Sequence, residues 1–203
     1  LMLMNLFKFK GGVKPPSNKL QSNHLPIAQA PMPSRLVIPL HQSIGGMPQP
    51  IVAAGDKVLK GQMVGKADGW ISAAVHAPTS GTVVEVAMHV RPHVSGLDSL
   101  CVVIEPDGRD EWIARTPIDH RAVPAADVFH HLQQCGIVGL GGAGFPAHGK
   151  LTPSKGVAMD ELIINGAECE PFITCDDLLM RERADEVVRG IAMFRDLLQP
   201  KKV

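Results

Sequence analysis

The sequence contains no tyrosine, and only six phenylalanines and two tryptophans among its 203 residues. So few aromatics argue against platforms on which nucleic-acid bases stack. Net charge is lacking too: 20 basic side chains balance 20 acidic ones and no basic stripe occurs, so no nucleic-acid partner is expected. Long apolar runs are missing. Residues 1–7 are apolar, but a membrane helix needs ~18 residues or more. Lys8 and Lys10 follow without a small-residue cleavage site, so no signal peptide is expected either. The four cysteines, Cys101, Cys135, Cys169 and Cys175, are widely scattered, which fits a reducing compartment better than a disulfide framework. The nearest pair, Cys169 and Cys175, lacks the tight repeated spacing of a ferredoxin-type cluster site. His89 and His93 fall in a proline-containing loop and read as solvated. No metal ligands and no catalytic acid–base group are assigned.

Glycine and proline are plentiful, at 20 and 17 residues, and point to turns and short strands. Residues 1–35 read as an extended leader, in which Gly11, Gly12, Pro15, Pro16, Pro26, Pro31 and Pro33 leave no room for a helix. Residues 36–105 read as a small all-β module: Leu36, Val37 and Ile38 open it, and Cys101 to Ile104 close it. Its longest run, from Thr82 to Met88, places Val84, Val86 and Met88 on one face. Residues 106–123 are a polar linker. Residues 124–203 read as an incomplete α/β domain. Pro124 starts a helix with Val128, Phe129, Leu132 and Cys135 at helical spacing, and Gly136 stops it. Glu161, Leu162, Ile163 and Ile164 read as a buried strand. Thr174 or Asp176 caps a last helix whose apolar face carries Leu179, Ala184, Val187, Val188, Ile191 and Leu198. One strand cannot form a sheet, so the sequence is expected to stop inside its second domain.

Between the first of these helices and that strand lies the densest motif, Gly139, Gly141, Gly142, Ala143, Gly144, Phe145 and, after Pro146, Lys150. Glycine lets a ligand approach backbone amides closely, and free amides beside a cation suit a phosphate. Gly139, Gly141 and Gly144 satisfy G-x-G-x-x-G, but a helix precedes the loop and Pro146 interrupts the helix that should carry the last glycine. Gly144, Gly149 and Lys150 match the start of a P-loop, but Leu151 stands where a hydroxyl should hold Mg²⁺. Neither a Rossmann dinucleotide site nor an NTPase is expected. Downstream, Asn165, Glu168 and Glu170 leave the end of the expected strand, where α/β folds place ligands. In an extended chain the two glutamates share one side.

Two resemblances carry these motifs further. Residues 55–62 followed by Ala77, Pro78, Thr79, Ser80 and Gly81 resemble the barrel-sandwich fold of biotinyl and lipoyl carrier domains. A carrier's modified lysine sits eight residues before the proline; here that position is Trp70, and Lys66 is out of place, so the fold is expected to be a structural module. The glycine loop with Lys150, the stretch from Asn165 to Pro171, Thr174 to Asp177, and the leader from Phe9 to Pro16 together resemble the RnfC family of the Rnf electron transport complex over nearly the whole chain. Both main motifs occur, altered, in the flavin-binding subunit of respiratory complex I.

The resemblance implies a barrel-sandwich module followed by the start of a complex I flavoprotein-like α/β domain. It implies that Gly139, Gly141, Gly142, Gly144 and Lys150 hold FMN, with Asn165, Glu168 and Glu170 alongside, and that Phe145 and Glu170 face NADH. Leu140 and Ala167 depart from the complex I pattern and fit Rnf. The function implied is an electron-input subunit that exchanges hydride between NAD(H) and FMN and passes electrons to iron–sulfur clusters held outside these residues. Its partners would be the other subunits of a membrane electron transport complex, on the cytoplasmic side of the bacterial inner membrane, with the chain peripheral. The 203 residues alone are expected to be inactive. Two other readings compete: a flavin-free structural subunit, as in the sodium-pumping quinone reductase, and a truncated inactive fragment. The corrin reductase of propanediol-utilising compartments shares the flavin loop, but the leader favours Rnf.

Overall fold

The computed structural model describes residues 12, 13, 15–152 and 158–203. Residues 1–11, which include Phe9, Lys10 and Gly11 of the leader motif, lie outside the described residues, as does Lys14. The chain divides into two compact units. One takes the leader up to Gln29 together with Ile164–Arg189; the other takes Ala30–Ile163 and Gly190–Val203.

The larger unit is built on seven short strands: β1 (Leu36–Pro39), β2 (Gln49–Pro50), β3 (Lys57–Val58), β4 (Met63–Lys66), β5 (Val75–His76), β6 (Gly81–Val90) and β7 (Asp98–Pro106). They form a four-stranded sheet in the order β1-β7-β6-β3 and a three-stranded sheet in the order β2-β4-β5. Every pairing is antiparallel. Leu40, Val64, Val83, Val102 and Ile104 are fully buried between them, with Ile38, Val58, Val75 and Ala77 completing the core. This is how strands alternating apolar and polar residues close a core from two sides.

The longest run departs from its simple alternation. The β6–β7 register passes from Val83 opposite Ile104 directly to Glu85 opposite Val103, leaving Val84 as the extra residue of a bulge. A bulge exchanges the two faces of a strand from that point on. Val83 therefore enters the core before it and Val86 packs against the core after it, while Met88, read on the same face as Val86, is exposed.

Four helices follow: α1 (Ala125–Gln134), α2 (Ala147–Leu151), α3 (Cys175–Glu182) and α4 (Ala184–Leu198). Helix α1 starts after Pro124 and ends where Gly136 takes φ +69°, as its sequence signals require. Val128, Phe129 and Leu132 pack with Leu151 of α2 and with Met193, Phe194, Leu197 and Leu198 of α4 in a second small core. Cys135 is exposed, and its expected place on the buried face is taken by Gln133.

Two further expectations are corrected. Residues 161–164 form no buried strand: Glu161 makes one bridge to Lys202, and Ile163 and Ile164 are 77% and 43% exposed. An isolated extended segment has no sheet to take up its amides or cover its faces. The last helix is two, broken at Arg183, whose φ −128° and ψ 31° are not helical, and neither piece has a fully buried residue.

Candidate functional site

The glycine loop is closed at its base like a hairpin. Val138 bridges Pro146, the Gly139 N–H donates to the Phe145 carbonyl at 2.9 Å, and the Ala147 N–H donates to the Ile137 carbonyl at 2.9 Å. The glycines within it serve different ends. A Cβ at Gly141 or Gly142 would meet nothing within 4 Å, so this backbone faces open space. Gly142 also takes φ +108°, which only glycine adopts without strain. At Gly144 a Cβ would stand 3.1 Å from the Gln42 carbonyl oxygen, and the Ile44 N–H donates to the Gly144 carbonyl at 3.2 Å. This glycine lets the loop dock on the turn after β1. At Gly139 a Cβ would collide with Lys150 Nζ, so the ammonium lies against the start of the loop. Lys150 itself is exposed and makes no hydrogen bond or ion pair among the described residues. The Phe145 ring packs on Gly149, where a Cβ would be 3.0 Å from its edge.

Helix α2 is only five residues long, too short to hold the loop by its own hydrogen bonds. It is fixed from outside. His148 is fully buried, its Nε2 donates to the Trp70 carbonyl at 2.6 Å, and its ring meets the Trp70 indole edge-on at 4.9 Å. Its other ring nitrogen, Nδ1, is buried and has no hydrogen-bond partner among the described residues. Gln133 of α1 holds the same turn: its amide nitrogen lies 2.9 Å from the Gly69 carbonyl, 3.3 Å from that of Trp70 and 3.2 Å from that of Ser72. The connection from β4 to β5, where a carrier would display its lysine, is thus clamped by both helices. Lys66 ends β4 in register with Gln49 rather than standing at that tip.

In the smaller unit, the acidic motif is a cap and an anchor. Glu168 Oε1 accepts from the Asp176 N–H at 3.0 Å and from the Cys175 thiol at 3.1 Å, at the N-terminus of α3. These donors, the backbone one foremost, lower its pKa, while the bond to the Glu168 carboxylate raises that of the Cys175 thiol. The close approach of Glu168, Cys175 and Asp176 is thereby explained as helix capping. Thr174, expected as a cap, donates its hydroxyl to Ser22 instead, at 3.0 Å. Lys19 of the leader points its ammonium at the carbonyls of Glu168, Glu170 and Ile173, at 3.2, 3.1 and 2.9 Å. Asn165 accepts from the Ala167 N–H at 2.9 Å in a local turn. The Glu170 carboxylate has no partner among the described residues.

Among the sequence-assigned residues, the structure places Gly139, Gly141, Gly142, Gly144 and Phe145 on one loop, with Lys150 of α2 against its start. Asn165, Glu168 and Glu170 belong to the other unit. Sequence reasoning missed His148, Trp70, Gln133 and Lys19. The only signal for His148 was its position inside the glycine motif.

What the loop can do chemically is bind an anion. Open amides around Gly141 and Gly142, with an uncommitted ammonium at the loop's start, suit a phosphate ester. Among the described residues, no helix is long and apolar enough to cross a membrane.

Residues 7–109 match a family model described as the RnfC barrel sandwich hybrid domain, and residues 132–203 match one described as the Nuo51 FMN-binding domain. Proteins named as the C component of an ion-translocating oxidoreductase complex are similar throughout. The one from Serratia proteamaculans is 46% identical over 197 residues, covering 97% of this chain and 28% of the relative. One from Haemophilus influenzae is 47% identical over 199 residues, covering 98% and 24%. One from Pseudomonas aeruginosa is 47% identical over 199 residues, covering 98% and 26%. The chain thus spans less than a third of the length of these relatives. With the barrel-sandwich match reaching across half of its residues, the chain belongs to the RnfC family.

Proposed function

We propose that this chain is the flavin-holding part of an electron-input subunit in a membrane-bound, ion-translocating oxidoreductase. The observation that carries the reading is the glycine loop: open backbone at Gly141 and Gly142, beside a Lys150 ammonium free of any carboxylate among the described residues. FMN fits this arrangement, since its phosphate would take the loop amides and the Lys150 charge. When bound, FMN supplies the exchange between hydride transfer from NADH and single-electron transfer to iron–sulfur clusters. The protein's own part is to hold and orient. Gly139 gives Lys150 room to lie against the loop. Phe145, packed on Gly149, offers a fixed apolar face for NADH beside the open backbone. Asn165, Glu168 and Glu170 are assigned to the nucleotide by resemblance. Of the two glutamates, Glu170 is the one whose carboxylate is uncommitted among the described residues.

The β module is read as a lipoyl-carrier-like fold turned to structural use, because its tip is bound to α1 and α2. The other subunits of the complex are the partners, and the chain works on the cytoplasmic face of the bacterial inner membrane as a peripheral subunit. The test is an FMN titration of the full-length protein. Lys150→Ala should weaken FMN by about tenfold to a hundredfold, the scale of one charge-assisted hydrogen bond. Unchanged affinity would remove the phosphate role, and a colourless, non-binding wild type would favour the flavin-free structural subunit.

A further inference from the structure

A cavity of about 650 Å³ lies beside the glycine loop, and its lining holds the Arg91 guanidinium, along with His41 and His93, but no aspartate or glutamate. One wall is the loop itself, through Gly142 and Ala143; another is the connection after β6, carrying Arg91 and His93; the floor is the turn after β1. The floor and the loop are fixed to each other by the bond from the Ile44 N–H to the Gly144 carbonyl. Arg91 is held in place from one side only. Its Nη1 lies 3.3 Å from both the carbonyl oxygen and Nδ1 of His41. Its remaining donors, Nε and Nη2, have no partner among the described residues, and no carboxylate there lies within ion-pair distance of it. Arg35 differs, since it pairs with Glu85. A guanidinium oriented by a carbonyl oxygen and an imidazole nitrogen, with its other donors unused in a cavity of ligand size, has the form that receives a phosphate.

We infer that this cavity binds a second anionic group, the diphosphate of the nucleotide substrate, with Arg91 as its principal contact and the β module as its supplier. The loop has one cation at its start, Lys150 at Gly139, and Arg91 lines the cavity that Gly142 and Ala143 also wall. A flavin mononucleotide carries one phosphate ester, whereas a nicotinamide dinucleotide carries a diphosphate of its own. The inference rests on the proposed flavin-loop reading and extends it to the substrate.

The experiment uses the full-length protein with ADP as the probe, by calorimetry, alongside FMN content and the KM for NADH. Arg91→Ala should weaken ADP about tenfold to a hundredfold and raise the KM for NADH, with kcat and FMN content unchanged. Arg91→Lys should recover part of the ADP affinity, because charge remains while the fork is lost. His93→Glu, which leaves Arg91 and its His41 contacts in place, should weaken ADP by placing an acid in the lining. ADP binding unaffected by Arg91→Ala and His93→Glu would overturn the inference while leaving the flavin loop intact. Loss of FMN in Arg91→Ala with ADP binding retained would overturn it too, by assigning the cavity to the flavin phosphate. A wild type that binds ADP but no FMN would instead sink the flavin-loop reading alone.

Discussion

Two glycines three positions apart separate binding from folding. Gly141 stands in open space, so Gly141→Ala should leave thermal stability unchanged yet reduce FMN affinity, because the added methyl occupies the approach to the loop amides. Gly144 takes φ +60° and touches the Gln42 carbonyl, so Gly144→Ala should lower the melting temperature and the FMN affinity together. Calorimetric melting and flavin titration of both variants check the contrast. That this loop would leave backbone uncovered beside a lysine was legible in its residues, because a run of glycines has no side chains to cover it. Which glycine faces open space and which faces the β module was not legible, since that depends on the turn after β1, about a hundred residues earlier in sequence. Glu168 shows the same limit. Its acidity suggested a ligand, and its main engagement is the N-terminus of α3, a contact made only when residues 168 and 176 come together.

At the scale of elements, α1 declared itself through Pro124, its apolar spacing and Gly136, all of which are local. The bulge in β6 did not, because strict alternation and a one-residue insertion look alike until a partner strand sets the register. Residues 161–164 misled for a related reason: an apolar run reads as a buried strand, but burial comes from neighbours and not from the run itself. The loop's own helix, α2, depends on Leu151, which is 2% exposed and packs on Val128, Phe129 and Leu132 of α1. Leu151→Ala should destabilise the larger unit by about 2–5 kcal/mol, the usual range for emptying a leucine site. Urea unfolding followed by tryptophan fluorescence measures this directly, since Trp70 lies at the other contact of the same helix.

Over the whole molecule, acid is the condition that most tests the charge arrangement. The Arg109 N–H and the Ser80 hydroxyl hold Asp107 down to about 2, and Lys60 with Thr79 lowers Asp110. Arg195, Arg121 and His120 hold Asp196 well below the usual carboxylate range, and the Asp176 N–H lowers Glu168. Each of these groups binds its proton more weakly folded than unfolded. Each therefore contributes stability that is complete above its ordinary pKa and lost as pH falls toward the folded value. For Asp107 that window runs from about pH 4 down to about pH 2. The melting temperature should accordingly hold from neutral pH to about 5 and fall steeply below 4, with a shallower fall in Asp107→Asn and in raised salt. A profile flat down to pH 3 would contradict these assignments.

The grip of His148 and Gln133 on the Trp70 turn also sets the thermal behaviour of the site. A five-residue helix that borrows its order from a sheet cannot loosen by itself and remain a helix. Flavin release on heating should therefore coincide with melting of the β module in one cooperative transition, which makes flavin colour a reporter on the sheet whose Trp70 turn holds α2.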